Sequence, residues 1–218
     1  MRASNSERQS RYTPLWIVPI VASAVLPSCQ RDAMDSSDFD KQLAASIEAF
    51  KNRKIYSRLD PATLASIADK DLELAIVDYV ASKLEGQHGN EVEIVRKLVP
   101  GARAMYLTWI VDAEVNNGGF NQYYYNTDGK FASEAVAAFE YFGATQHAAV
   151  MKDANDVWMS EAAEMARFKT EGTLEAFSES YEYTKLGPLD ERYFQLAEDL
   201  SRLHISRIRQ WPEQFCGQ

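Results

Sequence analysis

Only two cysteines and three histidines occur among the 218 residues, and positive charge is in deficit, with Lys and Arg at 23 against 32 acids and a net charge of −9. Cys29 and Cys216 stand near opposite ends of the chain, which excludes a disulfide-stapled scaffold and leaves at most one bridge between the termini. His88, His147 and His204 are far apart, and none sits in a Cys/His or His-x-x-x-His arrangement, so neither a metal centre nor a cofactor is expected. The shortage of basic residues disfavours direct binding to nucleic acid or anionic lipid heads and favours basic partners. Also missing is any alternating, β-rich run bounded by hairpin signals, and no internal repeat of fixed period is visible.

No apolar run is long enough for a comfortable membrane span, since Leu15–Leu26 holds only 12 residues where roughly 20 are needed. That run follows a polar start containing Arg2, Arg8 and Arg11, which is the layout of a secretory signal. It ends in Leu26-Pro27-Ser28-Cys29, which resembles the bacterial lipoprotein box, with cleavage before Cys29 and lipid attachment to it. The resemblance implies a signal at residues 1–28, a lipid anchor to the membrane, and residence at the bacterial envelope on the outer membrane or its periplasmic face, with Gln30 favouring the outer membrane. A buried N-terminal helix or a misplaced start codon is the alternative, and it would leave the chain cytoplasmic. Removing the first 28 residues, with Arg2, Arg8 and Arg11 against Glu7, takes the net charge from −9 to −11.

What remains is helical in period. Residues 29–38 read as a polar tether, residues 39–212 as one helical domain, and residues 213–218 as a frayed tail carrying a single Cys216. Leu43, Ile47 and Phe50 recur at helical spacing; Asp60-Pro61 supplies an N-cap and an N1 proline. Asp69 is placed to cap a helix through Leu72, Ile76, Tyr79, Val80 and Leu84 that stops at Gly86, whereas Val92–Val99 is ambiguous. Pro100-Gly101 opens the clearest helix, with Ala102, Met105, Tyr106, Trp109, Ile110 and Ala113 on one face. Helices follow from Ala132 to Gly143, from Ala144 through Met165, and from Pro188 to Trp211 as one final element. The expected fold is all-α, a single irregular multi-helix bundle.

The densest stretch is Glu114-Val115-Asn116-Asn117-Gly118-Gly119-Phe120-Asn121-Gln122-Tyr123-Tyr124-Tyr125-Asn126. Asn117-Gly118-Gly119 should end the helix from Pro100, with one glycine at positive φ, and place Glu114 in the last turn, where the macrodipole disfavours a carboxylate. Glu114 then has either a specific partner or an exposed place at a small cost. Phe120, Tyr123, Tyr124 and Tyr125 supply aromatic anchors, and Asn116, Asn117, Asn121, Gln122 and Asn126 add carboxamides that need partners if buried. The stretch reads as a helix-to-helix joint or as a pocket wall. From Asp153 to Glu182 lie Asp153, Asp156, Glu161, Glu164, Glu171, Glu175, Glu179 and Glu182 against Arg167 and Lys169, an acidic run that is ordinarily a solvated face.

The pattern Glu114, Asn117-Gly118-Gly119-Phe120, Gln122-Tyr123, Tyr125-Asn126, Gly129 and Gly143-Ala144 resembles the helical domain family named after DNA-mimic protein nineteen, over roughly residues 65–190. The resemblance implies an α-helical domain and, for the namesake, a non-enzymatic role in which acidic side chains imitate DNA phosphates. Three functions stand open. One is a non-catalytic, envelope-anchored binding domain for an unknown protein or small ligand, with no catalytic residues. Another is an acidic mimic that occupies a DNA-binding protein through the Asp153–Glu182 acids, which needs a cytoplasmic chain. The third is an enzyme with Glu114 as acid or base and Asn117, Gln122 or Asn126 orienting a substrate.

Overall fold

The computed structural model describes residues 36–87 and 89–217, with side-chain surroundings from Asp40 onward. The signal of residues 1–28 and Cys29 lie outside the described residues. The chain divides into two compact units, Met1–Arg53 and Lys54–Gln218. In the first, α1 spans Ser36–Lys51, so Ser36–Asp38 belong to a helix and not to a tether. Its Phe50 is half-buried under the Arg53 guanidinium, 3.6 Å above the ring.

The second unit is built from α2 (Pro61–Ser66), α3 (Asp69–Leu84), α4 (Glu91–Lys97), α5 (Pro100–Thr127), α6 (Ala132–Phe142), α7 (Thr145–Glu171), α8 (Leu174–Tyr183), α9 (Gly187–Phe194), α10 (Leu200–Gln210) and a 3₁₀ turn at Pro212–Phe215. The architecture of the described residues is all-α, as the helical period requires. Asp60 caps α2 by accepting from the Thr63 amide at 2.8 Å. The cap of α3 is Ala68, and Asp69 is its first helical residue, where a carboxylate still complements the helix dipole.

One element differs from the sequence expectation for a local reason. The segment after Pro188 is two helices, because Asp199 accepts from the Arg202 amide at 2.9 Å and starts α10 afresh. The acidic stretch is broken at Gly172, with φ +63°, and Thr173 caps α8 by accepting from the Ala176 amide at 3.1 Å.

Helix α5 is the spine, packed against α3, α6, α9 and the 3₁₀ turn. Its fully buried Ala102, Met105, Val111, Val115 and Phe120 meet Leu72, Ile76 and Val80 of α3 and Ala135 and Phe139 of α6 in one core. The C-terminal residues are part of that core and not a frayed tail. Phe215 is fully buried, and Gly101 lets the start of α5 approach it, since a Cβ there would lie 2.7 Å from the Gln214 carbonyl and 2.9 Å from the Phe215 ring. The Cys216 thiol is free and donates to the Pro212 carbonyl at 3.1 Å.

His204 ties distant helices together, and His147 ties α7 to the loop before α10. His204 Nδ1 on α10 lies 2.6 Å from Glu73 of α3, and its Nε2 lies 3.1 Å from the Thr108 hydroxyl of α5. His147 Nδ1 on α7 lies 2.6 Å from Glu198, which also accepts from the Gln146 and His147 amides and so closes the N-terminus of α7. Burial pushes both carboxyls up, but the histidine contacts outweigh it and hold Glu73 and Glu198 below the ordinary value of 4.5.

Truncating Phe215 to alanine should therefore cost about 3–5 kcal/mol in a denaturant titration, the amount typical of a buried phenylalanine; a loss below 1 kcal/mol would mean that the C-terminal turn is not part of the core. The stabilisation from Glu73 and Glu198, whose folded pKa is depressed, is present above the unfolded value of 4.5 and is lost as pH falls through the folded values. The E73Q/E198Q double variant should accordingly be less stable at neutral pH and lose less stability than the parent between pH 5 and pH 3, measured by urea unfolding; parallel pH profiles would refute the role of the pairs.

Candidate functional site

Helix α5 does not end at the Asn-Gly-Gly step; it breaks and resumes. Gly118 (φ −160°, ψ 27°) and Gly119 (φ 73°, ψ −180°) leave helical geometry, and the chain is helical on both sides. Gly119 occupies the left-handed region, and a Cβ there would also come within 2.4 Å of an Asp190 carboxylate oxygen. Breaking a buried helix frees a carbonyl and an amide that need new partners. The Gly118 carbonyl accepts from the Tyr181 hydroxyl of α8 at 2.7 Å, and the Phe120 amide donates to Asp190 Oδ1 of α9 at 2.7 Å. Asp190 thereby caps the second half of α5 from another helix; burial pushes its carboxyl above the usual aspartate range, and the Phe120 amide opposes that rise.

Glu114 spans the break from the first half to the second. It is 7% exposed, and its Oε2 accepts from Gln122 Nε2 at 2.7 Å and Asn126 Nδ2 at 2.9 Å. The dipole argument for a specific partner is met, although Glu114 lies inside a continuing helix and not in a last turn. Asn117 stands apart, exposed at the elbow, and takes no place in this clamp. One turn earlier Asp112 is drawn up by burial while it accepts from Tyr193 of α9 at 3.0 Å and Asn116 at 2.9 Å.

Beyond the break the aromatics divide. Phe120 is fully buried edge-on against Tyr193, and Tyr123 is buried in the core with its hydroxyl unpartnered. Tyr124 donates to Asn155 of α7 at 2.7 Å and stacks on Trp158, with centroids 5.0 Å apart and planes 8° from parallel. Half-buried Tyr125 packs on Phe177 of α8. The second half of α5, α7 and the segment Thr184–Leu186 together enclose a cleft of about 280 Å³. It is lined by Asn121, Tyr124, Tyr125 and Asp128 on one side and by Trp158, Glu161, Met165 and Lys169 on the other.

Asn121 and Tyr124 belong to the stretch that reads as joint or pocket wall, whereas Trp158 reads from the sequence only as part of a helical core stripe. Of the acidic run, Glu161 is not a surface group: it is 6% exposed and accepts from the Thr184 hydroxyl at 2.7 Å and the Lys185 amide at 3.1 Å. Asp153, Asp156, Glu164, Glu171, Glu175, Glu179 and Glu182 are exposed, and Asp153 pairs with Arg192 at 2.7 Å. Among the described residues no three or more His, Cys, Asp or Glu side chains converge as metal ligands, and no helix is long and apolar enough to cross a membrane.

A family model described as DMP19-like protein matches residues 96–214, more than half of the chain, beginning and ending later than the 65–190 read from the motif. No curated protein and no solved structure matches.

The clamp sets the expected response to substitution. Glu114→Gln and Gln122→Ala should each lower stability by about 1–3 kcal/mol, because each strands a buried donor or acceptor. Gly119→Ala should lose more than about 1 kcal/mol, whereas Asn117→Ala should stay within about 0.5 kcal/mol of the parent. Thermal melts of the four variants check this; unchanged or raised midpoints for Glu114→Gln and Gln122→Ala would make the motif a ligand-facing wall and not a joint.

Proposed function

The chain belongs to the DMP19-like family, and from that premise we propose that it is a non-catalytic binding module held at a bacterial envelope by a lipid on Cys29. The observation that carries the binding role is the division of labour around the break in α5. Glu114, the one acid in the motif available for acid–base chemistry, is committed to two carboxamides of its own helix, which supports the joint over the enzyme. The cleft on the other side, lined by aromatic residues and a buried carboxamide, supports recognition. Anchoring rests on the arginine-containing start, the short apolar run and Leu26-Pro27-Ser28-Cys29.

The second reading, an acidic DNA mimic, is favoured by the seven exposed acids between Asp153 and Glu182. It requires a chain that meets DNA-binding proteins in the cytoplasm. Mass spectrometry of the N-terminal peptide from the natural host separates the two. Processing before Cys29 with added acyl mass, membrane fractionation, and an uncleaved precursor from Cys29→Ala are expected. An intact soluble chain starting at Met1 would overturn anchoring and leave mimicry as the better reading.

A further inference from the structure

We propose that the cleft between the second half of α5 and α7 is a receptor for a guanidinium group, filled by an arginine side chain of a partner protein. The proposal deepens the binding role given above and does not depend on the lipid anchor.

Hydrogen-bond accounting at Asn121 comes first. This residue is 1% exposed and lines the cleft; its Nδ2 donates to Ser180 Oγ at 2.8 Å, and Ser180 Oγ donates its only proton to the Phe177 carbonyl at 2.6 Å. Ser180 must therefore accept from Asn121, which fixes the orientation of the carboxamide. The remaining atom, Asn121 Oδ1, is buried without a partner. A buried carbonyl without a donor is unfavourable, and a ligand that brings an N–H relieves it.

The second acceptor is Glu161, whose partners among the described residues, the Thr184 hydroxyl and the Lys185 amide, are neutral donors that take one site on each oxygen. Each carboxylate oxygen accepts a second bond, so capacity is left on a buried anion. The one cation in the lining, Lys169, is already used. Its ammonium lies 3.1 Å from Asp128, donates to the Tyr125 carbonyl and sits 4.8 Å above the Tyr125 ring. The cleft is thus lined by two residues that carry unsaturated acceptors, Asn121 and Glu161, by more carboxylate than ammonium, and by the aromatic side chains Tyr124, Tyr125 and Trp158.

An anion would meet a desolvated carboxylate there, and a neutral ligand would leave that carboxylate uncompensated. A planar cation with several N–H donors satisfies both acceptors and suits aromatic walls, which is the chemistry of guanidinium. About 280 Å³ lies at the lower edge of the range for small-molecule sites and suits a single side chain. That the side chain is presented by a protein follows from the surroundings. Tyr183, next to the lining residue Thr184, is 40% exposed, Leu174 of the same helix is 81% exposed, and the exposed Glu164, Glu171, Glu175, Glu179 and Glu182 of α7 and α8 attract a basic surface.

The test is titration of the purified full chain with N-acetyl-argininamide, followed by the NMR signal of the Trp158 indole N–H, against N-acetyl-citrullinamide as the neutral isostere and free L-arginine. Saturable shifts with the arginine amide, and affinity weakened at least about tenfold for the citrulline compound, are expected. Glu161→Gln should abolish that discrimination. Because Glu161 also holds the Thr184–Lys185 turn, Ala162→Trp serves as an independent variant: it fills the cleft from an exposed lining position and should remove the shifts while leaving the melting temperature unchanged. Equal response to both amides, or none, overturns the receptor and leaves the anchored module standing. Tighter binding of free L-arginine than of the amide overturns the partner side chain in favour of a free amino acid. Arginine-amide binding by a chain that is never processed at Cys29 overturns the anchor alone.

Discussion

The backbone break at Gly118–Gly119 is the constraint on which the rest of the second unit depends. The 28-residue helix changes direction at the break, and its last turns meet α7 through Tyr124, Asn155 and Trp158. The redirection works only because the groups it frees are satisfied from elsewhere, the Gly118 carbonyl by Tyr181 and the Phe120 amide by Asp190. Glu114 then holds the two halves at one angle by gripping Gln122 and Asn126. Helices α8 and α9 are therefore not decoration on the spine. Each delivers one hydrogen bond that the break needs, and each packs where the redirected half makes room for it.

This arrangement explains why the motif looks richer than a turn requires. Glycines supply the left-handed residue and the close approach to Asp190. Phe120 fixes the new half against Tyr193, and the carboxamides at positions 122 and 126, four residues apart on one face of that half, both reach Glu114 across the break. Only Asn117 is idle in the fold, exposed at the outside of the elbow. The cleft is a consequence of the same geometry, since the redirected half meets α7 at Tyr124 and Trp158 and leaves space beyond that stack.

Local signals were legible in the sequence and long-range ones were not. The Asp60 cap, the Pro100 start, the Gly143 stop and the positive φ at Gly119 all follow from chemistry within a few residues. The helix from Pro100 was expected to end at Asn117 because two glycines ordinarily stop a helix; its continuation depends on Asp190 and Tyr181, 70 and 63 residues away from the groups they satisfy. For the same reason the pairing of His147 with Glu198 and of His204 with Glu73 was invisible, as was the burial of Phe215 beneath Gly101 in what reads as a frayed tail. One wall of the cleft lies in the stretch that reads as joint or pocket wall, but the α7 wall carries no signal because Trp158 and Ala162 have core spacing.

Formal charge is a poor guide to what this surface presents, and the reason lies in where the acids go. Glu73, Glu114, Glu161, Asp190 and Glu198 are each engaged by internal donors: a histidine, two carboxamides, a hydroxyl and an amide, a helix N-terminus, or a histidine with two amides. Such carboxylates close structural gaps. The exposed acids of α7 and α8 lie on the two helices beside the cleft and add to the field there. In the receptor proposed above, long-range attraction and short-range recognition are therefore built from different carboxylates: the exposed ones would draw a basic partner toward this side, and the buried Glu161, with Asn121, would discriminate among the groups that arrive.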